Sequence, residues 1–144
     1  MDEDLAEFEI AFPVSFVVPG TPVSFQAANA HSRQRWKEAV AAAARHVVPE
    51  GTWLASEPLS LLIYDFPEAA PQGDVDNIVK LIQDALCLVI YDDDRQIRRI
   101  VAQRFLPHDL SAYADYPPLV AEALVNDPPF VFIRLTRNHL GEAQ

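Results

Sequence analysis

The stretch GDVDNIVKLIQDALCLVIYDDDRQI, Gly73 to Ile97, has two aspartates one residue apart at its start and three consecutive aspartates near its end. Between them, apolar residues recur at the spacing of one helix face. They are Ile78, Leu81, Ile82, Ala85 and Leu86. The pattern predicts an amphipathic helix from Val75 or Asn77 to about Leu88. Because like charges repel, the acids gathered around this helix need a physical explanation.

The dimensions of the chain allow the two acidic ends to meet. A helix from near Asp76 to Leu88 advances about 18 Å at roughly 1.5 Å per residue. If LCLVIY, residues 86–91, runs back extended, the segment from Leu88 to Asp94 covers about 20 Å at roughly 3.3 Å per residue. We therefore expect an antiparallel return that packs on the apolar stripe and brings Asp94 beside Asp74 and Asp76.

Carboxylates packed this closely need a counter-charge, because crowding raises the pKa of at least one of them. A helix N-terminus supplies only about half a positive charge. A divalent cation with oxygen ligands is the usual remedy, and Mg²⁺ suits a few carboxylates with positions left for water and phosphate. Lys80 lies one turn after Asp76 on the same helix face, where it can meet a phosphate or an attacking water.

The same acids have other possible interpretations. An EF-hand loop counted from Asp74 would require Gly in place of Val79 and Glu in place of Ala85. Four scattered histidines and one cysteine give no zinc-ligand spacing. Taken separately, each acidic motif is also compatible with an ordinary N-cap or a solvated turn. Taken together, they favour a magnesium site.

The remainder of the chain mixes strands and helices without strict alternation, which predicts an α+β (mixed α/β) fold with about four strands and two main helices. Strands are predicted within 10–20, 59–66, 96–106 and 129–137, and a turn at 92–95. A short helix is predicted at 117–125, with proline at its first turn, inside the Pro- and Asp-rich segment 107–129.

The first helix is predicted over residues 33–47, with Ser32 as its N-cap and Pro49 and Gly51 beyond its end. Four residues at helical spacing are expected to face the core: Trp36, Val40, Ala43 and Val47.

The composition indicates an ordinary globular domain. The chain has 144 residues, half of them hydrophobic and 22% charged, enough for one domain with its own core. No apolar run approaches the roughly 18 to 20 residues of a membrane span, and the first residues are acidic where a signal peptide would be basic. We therefore expect a cytoplasmic protein. Cys87, the single cysteine, is expected to fill the core.

The formal net charge of −10 is unevenly distributed. Five of the 21 acids lie in residues 1–9, and five more are the aspartates at the two ends of the opening stretch. The remaining 11 acids balance the 11 bases, so the rest of the chain is neutral. Most of the bases fall in two windows: Arg33, Arg35, Lys37 and Arg45, then Arg95, Arg98, Arg99 and Arg104. Each window is compatible with a solvated helix or strand face or with a contact to phosphate.

The sequence resembles the RusA-type Holliday-junction resolvases. The resemblance is carried by Asp74-x-Asp76-Asn77-x-x-Lys80, an amphipathic helix, and Asp93-Asp94-x-Gln96-Ile97, with weaker similarity at PGTPV near the start and in the last strand. It implies a homodimeric, Mg²⁺-dependent endonuclease that cuts four-way DNA junctions in recombination and repair, with a RusA-like domain at 10–137 between an acidic tail at 1–9 and a C-terminal tail at 138–144.

The resemblance also implies roles for individual residues. Asp74, Asp76 and Asp94 would be the essential metal-binding carboxylates, Asp93 a supporting ligand and Lys80 a catalytic helper. Asp92 has no counterpart and would belong to the turn. Contacts to DNA would come from Arg33, Arg35, Lys37, Arg95, Arg98 and Arg99.

The sequence departs from the family in three places. The basic segment expected after the PG-x-P turn is diluted to SFQAANAHSRQRWK, segment 107–129 is long, and the tail is acidic. Two alternatives therefore remain open: a nuclease for other branched DNA, and a non-catalytic acidic protein of the same fold that binds DNA or protein. Phe25, Trp36 and Tyr91 could stack on opened bases, although core packing is the commoner role for such residues.

Overall fold

A computed structural model describes residues 8–24, 29–71, 73–112, 115–126 and 128–138. Within these ranges it contains four strands: β1 (Val14–Pro19), β2 (Leu59–Phe66), β3 (Ile97–Arg104) and β4 (Phe130–Arg137). Three α-helices accompany them: α1 (Ala30–Val47), α2 (Val79–Leu86) and α3 (Pro118–Leu124). Single turns of 3₁₀-helix lie at Val75–Ile78, Asp94–Gln96 and Pro107–Ala112. The α+β prediction is confirmed.

The strands form one mixed sheet in the order β1-β4-β2-β3. β4 pairs antiparallel with both β1 and β2, whereas β3 pairs parallel with β2 along the outer edge. Parallel neighbours need a crossover between them. Here the crossover is the acidic stretch itself, since the Val75–Ile78 turn and α2 lie between β2 and β3 in the chain.

The main core lies between the sheet and the helices α1 and α2. Alternate residues of β1, β2 and β4 point to it, among them Phe16, Ile63 and Ile133, and all three are buried. The helices contribute Trp36 and Val40 from α1 and four of the five predicted stripe residues from α2, and the preceding 3₁₀ turn contributes the fifth, Ile78. All five residues of that stripe are buried, which confirms the helical interpretation of this stretch.

A second, aromatic cluster covers one end of the opposite sheet face. Phe66 stacks on Phe130 at 4.6 Å between ring centroids and on Phe105 at 4.8 Å. Val120 of α3 packs into the same cluster and is fully buried. Segment 107–129 thus supplies part of a core, and the predicted short helix within it is confirmed.

The start and the core face of α1 differ from the prediction. The N-cap is Asn29, whose side chain accepts a hydrogen bond from the backbone N–H of Ser32 at 3.1 Å, so Ser32 lies inside the first turn. Val47 is 43% exposed, and Ala41 and Ala44 are buried with Trp36 and Val40. The helix ends at Val47, where its face has turned away from the sheet.

The predicted extended return after α2 is wrong. Leu88 adopts a left-handed conformation, with φ of 67°, and its N–H donates to the carbonyl of Tyr91 at 2.7 Å. The chain therefore reverses in one tight turn instead of running back along the helix. α2 also ends two residues earlier than predicted, at Leu86, because Cys87 is already extended.

Trp36, Tyr91 and Cys87 pack against the core to different extents. Trp36 and Tyr91 are buried, which confirms core packing for both, and Phe25 lies outside the described residues. Cys87 is only half-buried; it packs at the margin of the main core, and its thiol donates to the carbonyl of Asp92 at 3.4 Å. In the described part of the chain, no helix combines the length and apolar character needed to cross a bilayer.

Candidate active site

The first arm of the site, Gly73 to Asp76, is tied to the end of β3. Arg104 donates from Nη1 to the carbonyl of Gly73 at 3.0 Å and from Nε to the Asp65 carboxylate at 3.0 Å. Gly73 has φ of 89°, a backbone conformation that residues other than glycine rarely adopt. One arginine thus connects the end of β2 to the backbone that precedes the first aspartate.

The carboxylates of Asp74 and Asp76 are exposed on this arm. Asp74 is the N-terminal flanking residue of the Val75–Ile78 turn, yet its side chain makes no capping hydrogen bond. Among the described residues, no hydrogen bond or ion pair occupies either carboxylate. The N-cap alternative therefore does not account for Asp74, and both side chains are available to a ligand.

The second arm is the turn that holds Asp92, Asp93 and Asp94, and Lys80 joins it to α2. The Lys80 ammonium lies 2.8 Å from an Asp84 oxygen and 3.3 Å from Oδ2 of Asp94. Hydrogen bonding to Asp84, more than to Asp94, raises the pKa of Lys80. The side chain therefore carries its positive charge at neutral pH and is still half exposed.

Tyr91 contacts Asp94 from the protein interior. Its buried hydroxyl lies 2.7 Å from the carbonyl of Gln83 and 3.3 Å from Oδ1 of Asp94, both of which are acceptors. Burial, followed by the charge of Asp94, raises the pKa of Tyr91, so the phenol stays protonated and donates. The phenol has one hydrogen, which the closer Gln83 carbonyl shares with Oδ1 of Asp94, while Lys80 contacts the other oxygen of Asp94.

Asp93 has a different environment. Its carboxylate accepts the backbone N–H of Arg95 at 2.8 Å and forms an ion pair with the Arg95 guanidinium at 2.9 Å. The hydrogen bonds from Arg95 lower the pKa of Asp93. Asp92 is exposed, and in the described structure its side chain has no partner.

The predicted convergence is realised only in part. The structure brings Lys80 to Asp94, as expected for two members of one site. Within the described ranges, however, no group of three or more acidic, histidine or cysteine side chains lies close enough together to hold a metal ion. Asp74 and Asp76 are therefore not assembled with Asp94 into one ligand shell, and the metal-binding roles remain predictions.

The chain nevertheless offers donors of the right kind. Asp74 and Asp76 present hard carboxylate oxygens free of protein partners in the described structure, and this is the ligand chemistry that Mg²⁺ prefers. Cys87 is not a further candidate ligand, because burial and the nearby aspartates raise the pKa of its thiol and disfavour the thiolate that binds metals.

The basic residues assigned to DNA contact are spread over two elements. Arg33, Arg35 and Lys37 lie in the first half of α1, and Arg35 is exposed. Arg95, Arg98 and Arg99 surround the start of β3, where Arg98 donates to the carbonyl of Arg95 at 2.9 Å. Charged residues also protect an edge strand from pairing with other chains, so this second cluster has a structural role whether or not it meets DNA.

Four residues around the site were not predicted from the sequence. Asp65 and Arg104 hold the first arm, and Tyr91 and Gln96 hold the second. A carboxylate inside the apolar strand LSLLIYDF was the available signal for Asp65. Gln96 stood in the motif without a role, because two of its four partners, Ala55 and Glu57, lie about 40 residues away in the chain.

Comparison with known proteins finds a family match over the same region. A family model described as Endodeoxyribonuclease RusA matches residues 20–119, which span both arms of the site and more than half of the chain. No curated protein matches the chain.

Proposed function

This chain belongs to the RusA family of endodeoxyribonucleases, and on that premise we propose that it hydrolyses phosphodiester bonds at four-way DNA junctions with the help of Mg²⁺. The proposed ligands are Asp74, Asp76 and Asp94, with Asp93 in support. The observation that carries the proposal is the pair of carboxylates of Asp74 and Asp76, which have no partner among the described residues and lie on a backbone arm clamped by Arg104. Lys80 of α2 pairs with Asp94 of the aspartate turn.

The chemistry of hydrolysis explains this choice of residues. When bound, Mg²⁺ lowers the pKa of a water ligand and neutralises charge on the phosphate. The protein residues orient the participants: Asp74 and Asp76 offer oxygen ligands from a fixed backbone, and Tyr91 holds one oxygen of Asp94. Lys80 supplies a permanent positive charge that stabilises the negative charge developing on the phosphate in the transition state.

We also propose that the protein acts as a homodimer in recombination and repair. A four-way junction has approximate twofold symmetry, and two identical subunits would present one site to each of two strands. The proposal rests on the family, and paired symmetric nicks in the products would support it.

Cleavage of synthetic four-way junctions by Asp76→Asn tests the proposed function. Products should require Mg²⁺ in the wild-type protein and fall by about 100-fold or more in the variant, since a ligand of the metal is lost. Asp92→Asn is the matched control, because it removes an exposed acid of the same site that has no proposed role, and it should cleave at close to the wild-type rate. Absence of Mg²⁺-dependent products from every branched substrate would instead favour a non-catalytic binding protein.

Lys80→Ala tests the second role. The cleavage rate should fall by roughly tenfold or more, as for the loss of one electrostatic contact to the transition state. Junction binding in Ca²⁺, measured by fluorescence anisotropy, should change little. Asp84→Asn, which keeps the ammonium beside Asp94, should retain most of the rate. If binding collapses in Lys80→Ala, the residue anchors phosphate or the fold, and its proposed role is wrong.

A further inference from the structure

Gln96 uses the whole hydrogen-bonding capacity of its side chain. A glutamine amide has two N–H donors and an oxygen that can accept twice. The oxygen of Gln96 accepts the backbone N–H groups of Asp92 at 2.9 Å and Asp93 at 3.0 Å. The nitrogen donates to the backbone carbonyls of Ala55 at 2.8 Å and Glu57 at 3.1 Å.

These four bonds join two separate parts of the chain. On one side is the aspartate turn, which the Asp93 side chain also closes by accepting the N–H of Arg95. On the other side is the segment that precedes β2, where the Ala55 N–H donates to the carbonyl of Ile90 at 2.7 Å. Ala55 is buried, so the segment that receives the Gln96 amide is itself packed against the core.

We propose that Gln96 is a positioning residue that sets the place of Asp93 and Asp94 in the active site. This inference rests on the proposed function and deepens it. The other contacts of the turn are either local or longer. The N–H groups of Arg95 and Gln96 donate to Asp93 within the turn, at 2.8 and 2.9 Å. The Cys87 thiol reaches the Asp92 carbonyl at 3.4 Å, and Lys80 and Tyr91 each reach Asp94 at 3.3 Å. The Gln96 amide is the connection that ties the turn directly to residues 55–57.

The required chemistry is specific to an amide. A carboxylate at this position could still accept both backbone N–H groups of the turn. It would, however, face the two carbonyl oxygens without a hydrogen to donate. A thioether of similar length would lose all four bonds. Gln96→Glu should therefore lose two of the four hydrogen bonds and Gln96→Met all four. Residues that orient metal ligands typically contribute about 10- to 100-fold to metal affinity or activity.

The experiment compares the Mg²⁺ dependence of junction cleavage in wild-type protein, Gln96→Glu and Gln96→Met. We expect the Mg²⁺ concentration for half-maximal rate to rise by roughly tenfold or more in Gln96→Met and less in Gln96→Glu, with saturating Mg²⁺ restoring most of the rate. Calorimetric titration with Mg²⁺ alone, without DNA, should show the same order. Gln103→Met is the matched control, since Gln103 lies exposed on β3, the strand that begins directly after Gln96.

Amide hydrogen exchange supplies a readout that does not depend on activity. The N–H groups of Asp92 and Asp93 should exchange at least tenfold faster in Gln96→Met, while amides of the central strands β2 and β4 keep their protection. Unchanged exchange with an unchanged Mg²⁺ requirement would overturn the proposal. So would a loss of rate that Mg²⁺ does not restore together with general loss of protection, which would indicate a purely structural residue.

The two proposals fail in different ways. If the wild-type protein neither binds Mg²⁺ nor cuts a junction, the proposed function is wrong, and the exchange rates of Asp92 and Asp93 alone decide whether Gln96 holds the turn. If the wild-type protein is active and the Gln96 variants match it, the positioning role is wrong and the function stands.

Discussion

Asp65 combines a charged side chain with almost complete burial. It is 1% exposed, and Arg104 reaches one of its oxygens at 3.0 Å. The other oxygen, Oδ1, is buried and has no hydrogen-bond partner within the described structure. Burial raises the pKa of Asp65, and the hydrogen bond and charge of Arg104 oppose that shift only in part.

The raised pKa predicts an unusual pH dependence of stability. The folded-state pKa exceeds the unfolded value of about 3.9, so the fold binds the proton more tightly than the unfolded chain. The free energy of unfolding should therefore decrease, through this residue, as the pH rises from about 4 through the folded-state pKa. Asp65→Asn cannot titrate and should lack this component.

Urea unfolding of both proteins between pH 4 and pH 7 measures the difference. Other titrating groups cancel in the comparison, so the wild-type protein should lose stability relative to Asp65→Asn as the pH rises. The opposite slope would mean that Arg104 dominates over burial. Arg104 also holds Gly73, and a change at this buried pair is expected to disturb the first arm of the site.

At the scale of single residues, the sequence predicted charge and spacing but not partners. Asp74, Asp76 and Lys80 stood out because acids flank an amphipathic helix, whereas the Lys80–Asp94 contact depends on the turn after α2 and was not predicted. The pairing of Asp93 with Arg95 and of Asp94 with Tyr91 did not follow, because it depends on side-chain directions in a tight turn.

At the scale of elements, the turn after α2 determines how Asp94 reaches the helix. Leu88 is 70% exposed and occupies the left-handed region, which costs a residue with a side chain about 1–2 kcal/mol. Few apolar contacts offset this cost. The reversal within this turn nevertheless makes the Lys80–Asp94 contact possible without a long return strand.

Leu88→Gly should therefore stabilise the protein. Glycine adopts positive φ without steric cost, and after allowance for its greater freedom in the unfolded chain we expect a gain of about 0.5–1 kcal/mol. Thermal or urea unfolding measures it. Leu119→Gly is the control, because Leu119 is an exposed leucine in the first turn of α3 and has no positive φ, so glycine relieves no strain there and should not stabilise the protein. A loss of stability in Leu88→Gly would show that the Leu88 side chain contributes packing that outweighs its strain.

At the scale of the whole molecule, the separation of charge is the feature that matters for DNA. Residues 1–7 hold four acids and no base, and removing them shifts the formal net charge from −10 to −6. Binding to phosphate depends on Lys and Arg and weakens with salt. Acids attached to the same chain should therefore lower the affinity for DNA.

Deletion of residues 1–7 should tighten junction binding in Ca²⁺ at low salt, with the gain shrinking as salt screens the charges. Anisotropy titrations across a salt series measure this effect. A full-length variant with the four acids changed to amides should show the same gain. If only the deletion tightens binding, the length of the tail and not its charge is responsible; if neither does, the tail does not oppose binding.

The four strands, the main helices, the apolar face of α2 and the acids that flank it could all be predicted from the sequence, because they depend on local periodicity and residue chemistry. Three features require the tertiary structure: the parallel pairing of β2 with β3, the Arg104 clamp, and the contacts of the Gln96 amide nitrogen to residues 55–57. Those features join residues about 30 to 40 positions apart. No local pattern encodes such contacts, since they exist only once the sheet has set the ends of β2 and β3 side by side.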